Sequence, residues 1–180
     1  MKKFILIILI LLVAGIFLWL NLKPQNKEKL EKSELVAYKN ESDGFWGIKW
    51  GTDINQVHGF VFLGALEFIE EVDFYKRQND IQSWEGIKIK SISYGFWRNK
   101  FYEVMITFPV IGRKSWDQLK MVVISKFGMP TDSLITMNSY SWKGSKTEIL
   151  LMRNTNSDTG ILSMQSKKMT DERRKLNLMP

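Results

Sequence analysis

Apolar and polar positions along this chain fall into three regimes, and each predicts a different kind of structure. Residues 4 to 20, FILIILILLVAGIFLWL, carry no charge and follow Lys2 and Lys3. With Asn21 and Leu22 the run reaches 19 residues. At 1.5 Å per residue it spans about 28 Å as a helix, close to the ~30 Å hydrocarbon core of a bilayer. Residues 23 to 43, KPQNKEKLEKSELVAYKNESD, are densely charged and read as a partly helical tether. If flexible, it reaches about 25 Å. From Gly44 onward, short alternating runs and one amphipathic stripe predict a folded domain, residues 44 to 180.

Within that domain, residues 45 to 50 read as a short strand broken by Gly51. Asp53 and Gln56 fit a capping box that opens a helical turn. Residues 60 to 63 and 66 to 76 alternate loosely as strands. Residues 86 to 97 and 101 to 109 form the clearest hairpin, with Arg98-Asn99-Lys100 between them. Asn99 suits the left-handed backbone of such a turn. In the second strand, Tyr102, Val104, Ile106 and Phe108 are expected on one face. The first strand changes phase between Ile89 and Ile92, which predicts a bulge near Lys90 and Ser91.

Residues 115 to 127 give the main helix, with a capping box at Ser115 and Gln118. Its stripe is Trp116, Leu119, Val123 and Phe127, broadened by Val122. Gly128 and Pro130 end it. Strands are expected at 134 to 137, 139 to 143, 146 to 153 and 159 to 166, then a short basic helix capped by Thr170. No long internal repeat is visible. The fold class is α+β, a largely antiparallel sheet with one main helix packed on it, preceded by an N-terminal transmembrane helix.

The opening of the domain resembles a broad group of small exported bacterial proteins that share an F-x-G-I-x-W-G-T start. Phe45, Gly47, Ile48, Trp50, Gly51 and Thr52 match that pattern. In that group a strand pair like ISYGFWRNKFYEVMITF follows, then a helix ending in G-x-P, here Gly128-Met129-Pro130. The resemblance covers most of residues 44 to 166 and implies a fold more than an activity. The helix followed by G-x-P also resembles, more weakly, small outer-membrane assembly lipoproteins of the SmpA/OmlA type. This chain has no cysteine to lipidate.

Composition narrows the chemistry. The missing cysteines remove disulfides, a thiol nucleophile and a cysteine metal site. One histidine, His58, makes a zinc site a poor expectation and reads as a loop residue. There is no Walker A loop, dinucleotide fingerprint or G-x-S-x-G elbow. No cofactor or metal is expected. Glu67, Glu70, Glu71 and Asp73 form an acidic cluster, a pointer to general acid–base chemistry, as in an envelope hydrolase. On a strand, Glu71 and Asp73 share a solvated face, joined by Glu67 if the register holds, and Glu70 interrupts the apolar face of Phe68, Val72 and Phe74.

The apolar run lacks the small-residue cleavage pattern of a signal peptide, so residues 1 to 22 are expected to be an uncleaved anchor. Trp19 suits the far interface. Lys2 and Lys3 favour a cytoplasmic N-terminus, while Lys23, Lys27, Lys29 and Lys32 flank the other end. Long domains translocate largely regardless of charge. The expected location is a bacterial inner or cytoplasmic membrane, with the domain periplasmic or extracellular.

The net charge is +7, but it is spread along the chain, and nucleic acid is not an expected partner. Lys167, Lys168, Arg173, Arg174 and Lys175 form the densest basic stretch, a solvated tail or a contact for anionic lipid headgroups. The motif GFWGIKWGTD has two readings. Trp46, Ile48 and Trp50 form a core strip, or Phe45, Trp46, Lys49 and Trp50 form a binding surface for a partner strand or a sugar ring. The functional expectation is a membrane-anchored, non-enzymatic domain that binds another envelope protein, with a glycan-binding module or hydrolase as the alternative.

Overall fold

The computed structural model describes residues 38–65, 71–134 and 138–176. The expected anchor, residues 4 to 22, lies outside them, as do residues 23 to 37 of the tether. Among the described residues no helix is long and apolar enough to cross a membrane.

The alternating runs become one antiparallel sheet of eight strands. The chain first lays down β3 (Phe60–Ala65), β4 (Val72–Arg77), β7 (Ser91–Trp97) and β8 (Lys100–Pro109). Helix α1 (Gly112–Phe127) then crosses to β9 (Asp132–Leu134), β10 (Ser139–Lys143), β11 (Thr147–Asn154) and β12 (Thr159–Ser166). The spatial order is β3-β4-β7-β8-β12-β11-β10-β9, so β12 returns beside β8 and joins the two halves. Two small hairpins stand apart from this sheet: β1 (Gly44–Phe45) with β2 (Ile48–Lys49), and β5 (Ser83–Trp84) with β6 (Ile87–Lys88). The fold is therefore α+β, mainly antiparallel, with one main helix. A shorter helix, α2 (Lys167–Leu176), follows β12 directly.

The core lies under α1. Trp116, Leu119, Val123 and Phe127 are buried, as their spacing predicts, against Val104, Ile106, Phe108, Leu151 and Leu162. A Cβ on Gly160 would collide with Leu119 and crowd Val110, so glycine there lets the helix sit close to β12. The N-terminus differs from the expected capping box. The helix begins at Gly112, and the Ser115 hydroxyl donates back to the Ile111 carbonyl at 2.6 Å instead of capping. The C-terminus matches expectation. Gly128 has φ 83° and its N–H reaches the Ile124 carbonyl at 2.7 Å.

Three further donors satisfy the carbonyls that the end of α1 leaves orphaned. Lys39 N–H donates to the Phe127 carbonyl at 3.1 Å and the Asn40 amide to the Lys126 carbonyl at 2.7 Å. The Trp142 indole donates to the Gly128 carbonyl at 2.9 Å. Tyr38 is buried edge-on against Phe127. Residues 38 to 43, expected in the tether, are thus part of the folded domain.

Two registers differ from expectation. The bulge falls in β8 rather than near Lys90. Phe96 pairs with Phe101 and Gly95 with Glu103, which leaves Tyr102 as the extra residue. Phe101 therefore joins the α1 side, and Tyr102 turns to the far side with Val72, Phe74, Trp97 and Met169. The phase change after Ile89 has another cause: Ile87 and Lys88 belong to the separate β5–β6 hairpin. Likewise Thr170 does not cap α2 but is buried within it.

Candidate binding sites around the first hairpin

GFWGIKWG is not a continuous strand. Phe45 pairs with Ile48 and Gly44 with Lys49, so the chain reverses at Trp46-Gly47. Both turn residues have positive φ, 49° and 82°, the requirement of a type I′ hairpin. The reversal takes Trp46 out of the expected core strip, while Ile48 is buried and Trp50 packs partly buried against the core. Phe45 and Ile48 are the buried pair, each 7% exposed, while Trp46 is 56% exposed. Left-handed backbone disfavours a bulky side chain, so Trp46 holds an uncommon conformation while showing its ring to solvent.

The second hairpin repeats this construction. Trp84 pairs with Ile87 and Ser83 with Lys88, around Glu85-Gly86 at φ 48° and 79°. Each hairpin closes with one further bond, Trp50 N–H to the Asp43 carbonyl at 2.8 Å and Ile89 N–H to the Gln82 carbonyl at 2.9 Å. The shared pattern is an aromatic residue, a turn residue, then Gly-Ile-Lys. The expected hairpin at Arg98-Asn99 forms with the same backbone signs, φ 49° and 64°.

A pocket of about 400 Å³ lies between the two small hairpins and the end of α1. Phe45, Trp84, Phe127 and Met164 give it an apolar lining, and Trp46 stands at its edge. The Trp84 and Phe127 rings are near parallel, 6.2 Å apart. Lys126 pairs with Glu85 at the rim and lies 5.5 Å over the Trp84 ring.

A second cleft, about 600 Å³, opens beside the same hairpin. Trp50, Trp97 and Met169 supply its apolar lining. Five cationic side chains reach it, Lys49, Arg98, Lys100, Lys146 and Lys168, against the carboxylates of Asp43 and Glu172. Arg98 pairs with Glu71 at 2.6 Å and also lies 5.0 Å over the Trp97 ring. Its guanidinium holds the Glu71 carboxyl below the usual range. Lys100 pairs with Asp53 at 3.0 Å. The Asp53 carboxyl is also lowered, first by the Asn55 backbone N–H and then by Lys100, within the capping box that Asp53 and Gln56 form as expected.

The four residues expected to share one binding surface are therefore divided. Phe45 and Trp46 border the smaller pocket, Lys49 and Trp50 the larger cleft. The cleft also draws in Trp97 and Lys146, which sequence reasoning missed because one ends β7 and the other lies in the turn before β11, far apart in the chain.

The basic stretch is docked rather than a free tail. Burial works against the charged form of Lys167, but Asp171 at 2.7 Å and Glu148 at 3.4 Å outweigh it and raise its pKa. Arg174 reaches Glu148 at 3.3 Å, and Lys168 reaches Glu172 at 4.0 Å. Arg173 donates to the Tyr102 hydroxyl at 2.9 Å. Lys175 is exposed on the last turn.

Of the acidic cluster, Glu67 and Glu70 lie outside the described residues. Glu71 precedes β4 at φ 63° and Asp73 is half-buried on it, opposite the buried Val72 and Phe74. A carboxylate that the sequence did not single out is Glu103, 5% exposed, which accepts from Ser163 at 2.7 Å and Gln165 at 2.8 Å. His58 is exposed in a loop, and among the described residues no acid or histidine group is placed to hold a metal. No protein-family model, curated protein or solved structure matches this chain.

Proposed function

We propose that this protein is a non-enzymatic partner-binding domain, held at the membrane by residues 4 to 22 and facing the periplasm or cell exterior. Its partner is another envelope protein, which places an apolar side chain in the pocket between the two small hairpins and packs against Trp46. One observation carries this reading: Trp46 occupies a turn position that its counterpart, Glu85, fills with the same backbone. The turn needs no aromatic ring there, and the ring lies more than half exposed beside an apolar pocket. Exposed aromatic residues beside preformed apolar pockets are the usual anchors of protein interfaces.

The test is in-cell photo-crosslinking of the full chain, with the probe at Ser83 on the pocket rim and a control probe at Asn156. A specific protein adduct from position 83, absent from 156 and lost on Trp46→Glu, is the expected result. Equal labelling from both positions, or an adduct indifferent to Trp46→Glu, overturns the reading.

A further inference from the structure

The larger cleft has a different chemistry from the Trp46 pocket and shares no lining residue with it. Trp50 has its only polar atom already engaged: the indole N–H donates to the Thr147 hydroxyl at 2.7 Å, and that hydroxyl donates to the Ser42 carbonyl at 2.6 Å. One side of Trp50 packs on Phe101, with centroids 4.8 Å apart. What Trp50 offers the cleft is therefore apolar ring surface rather than a hydrogen bond. The bonded indole also fixes where that surface sits.

Around this surface the charges are unequally committed. Arg98, Lys100 and Lys168 each have a carboxylate partner. Lys49 and Lys146 are exposed and make no ion pair among the described residues. Their backbones are nevertheless held. Lys49 is paired in the first hairpin, and Lys146 donates its N–H to Glu41 at 2.5 Å and accepts from Lys167 N–H at 2.8 Å. Two uncommitted ammonium groups on fixed backbone, beside tryptophan surface, suit a small anion that carries an apolar ring face.

We propose that this cleft binds an acidic saccharide, its carboxylate or phosphate held by Lys49 and Lys146 and a sugar ring packed on Trp50. The volume of about 600 Å³ fits a few sugar units. An extended peptide is less well served. The walls are the two-residue strand of the first hairpin with Trp50-Gly51 after it, the turns at Arg98-Asn99 and Ser145-Lys146, and the start of α2, which present no long strand edge for backbone pairing. The same saccharide chemistry reaches the cleft either as a free glycan or as the headgroup of a glycolipid.

The experiment follows the indole N–H signals of Trp50 and Trp97 by NMR in the full chain, held in nanodiscs of a neutral lipid. A glucuronate-containing tetrasaccharide is titrated in. A neutral tetrasaccharide and tetraglutamate serve as controls, and a parallel sample carries glucuronosyl diacylglycerol in the nanodisc. The expected result is a saturable shift of both indoles by an acidic-sugar probe, weakened by added salt. The double variant Lys49→Gln/Lys146→Gln should weaken it about tenfold or more. Both lysines are exposed, so this variant should keep the fold, which the other amide signals report. A response to the soluble sugar assigns a free glycan, and a response only to the lipid assigns a headgroup. No indole shift with either acidic probe overturns the proposal. So does an equal shift by the neutral sugar or tetraglutamate, or unchanged affinity in the double variant.

Discussion

The two small hairpins are close structural equivalents with different surfaces. Both place a buried aromatic residue, Phe45 or Trp84, before a left-handed pair that ends in glycine, and follow the pair with Ile-Lys. At the first turn position, one hairpin carries a glutamate paired with Lys126 and the other an exposed tryptophan. Since glutamate meets the backbone requirement, the fold does not explain the tryptophan. The comparison separates what builds the domain, the aromatic residue before the turn, from what the domain displays.

The largest expected effects fall on the shared structural positions. Phe45→Ala and Trp84→Ala each delete a large buried ring and should each cost about 3–5 kcal/mol, measured by urea unfolding. Near-equal losses support the equivalence of the hairpins. If Phe45→Ala costs under about 1 kcal/mol, the first hairpin is an appendage rather than a second copy of a structural device.

Next in size is Trp46→Glu, which gives the first hairpin the turn residue of the second. Loss of an interface anchor should weaken partner capture by about 2 kcal/mol or more, roughly thirtyfold, while the urea midpoint stays put or rises. A large fall in stability instead would make Trp46 a structural residue and remove the contrast with Glu85.

Much of the sheet was legible because period-two alternation survives wherever one face is buried. Val104, Ile106 and Phe108 read correctly, as did the α1 stripe and its stop at Gly128. Tyr102 read onto the wrong face because one extra residue in β8 reverses every assignment beyond it. Trp46-Gly47 was missed as a turn for a related reason. A run of aromatic residues has strand propensity, and tryptophan in a left-handed turn carries no Asn-Gly signature. The large cleft was illegible on principle. Pairing of β8 with β12 fixes how the strand, turn and helix that carry Trp97, Lys146 and Met169 are arranged, and no local pattern marks such a site.

The hairpins also differ in the chemistry of their hydrogen-bonded ties, and pH acts on one of these. The Tyr94 hydroxyl donates to Asp80 at 2.8 Å, just ahead of the second hairpin. Burial first, and then Asp80, raise the Tyr94 pKa above its ordinary value. A raised folded-state pKa gives a contribution that is full below the unfolded tyrosine value, about 10, and is lost as pH rises beyond it. The corresponding tie of the first hairpin, Trp50 to Thr147, does not titrate in this range. Alkaline titration should therefore break the Tyr94–Asp80 bond and leave Trp50–Thr147 in place, with Tyr94→Phe moving that step to higher pH. Because the Tyr94 ring also lies 6.2 Å from Phe45, the near-ultraviolet signals of both hairpins should change. Tyr38, raised chiefly by burial and then by Glu41, adds a loss of the same sign at the end of α1. An unchanged profile in Tyr94→Phe would assign the alkaline step to Tyr38 instead.

A smaller gain is expected from Trp46→Asn, because asparagine accepts the left-handed backbone at φ 49° far better than tryptophan. Stability should rise by about 0.5–1 kcal/mol in urea unfolding while partner capture falls. A loss of stability would mean that contacts of the ring within the domain exceed the backbone penalty.

The smallest expected effect tests the silent side of the comparison. Glu85→Gln breaks the pair with Lys126, whose two side chains are each at least a third exposed. Such pairs contribute at most about 1 kcal/mol and often nothing measurable. Urea unfolding should show a change within that limit, and capture from the Ser83 probe should stay as in the parent. Loss of capture in Glu85→Gln, with the fold intact, would show that the partner reads both turn residues. Trp46 and Glu85 would then be two halves of one surface, and the second hairpin could no longer stand as the structural control for the first.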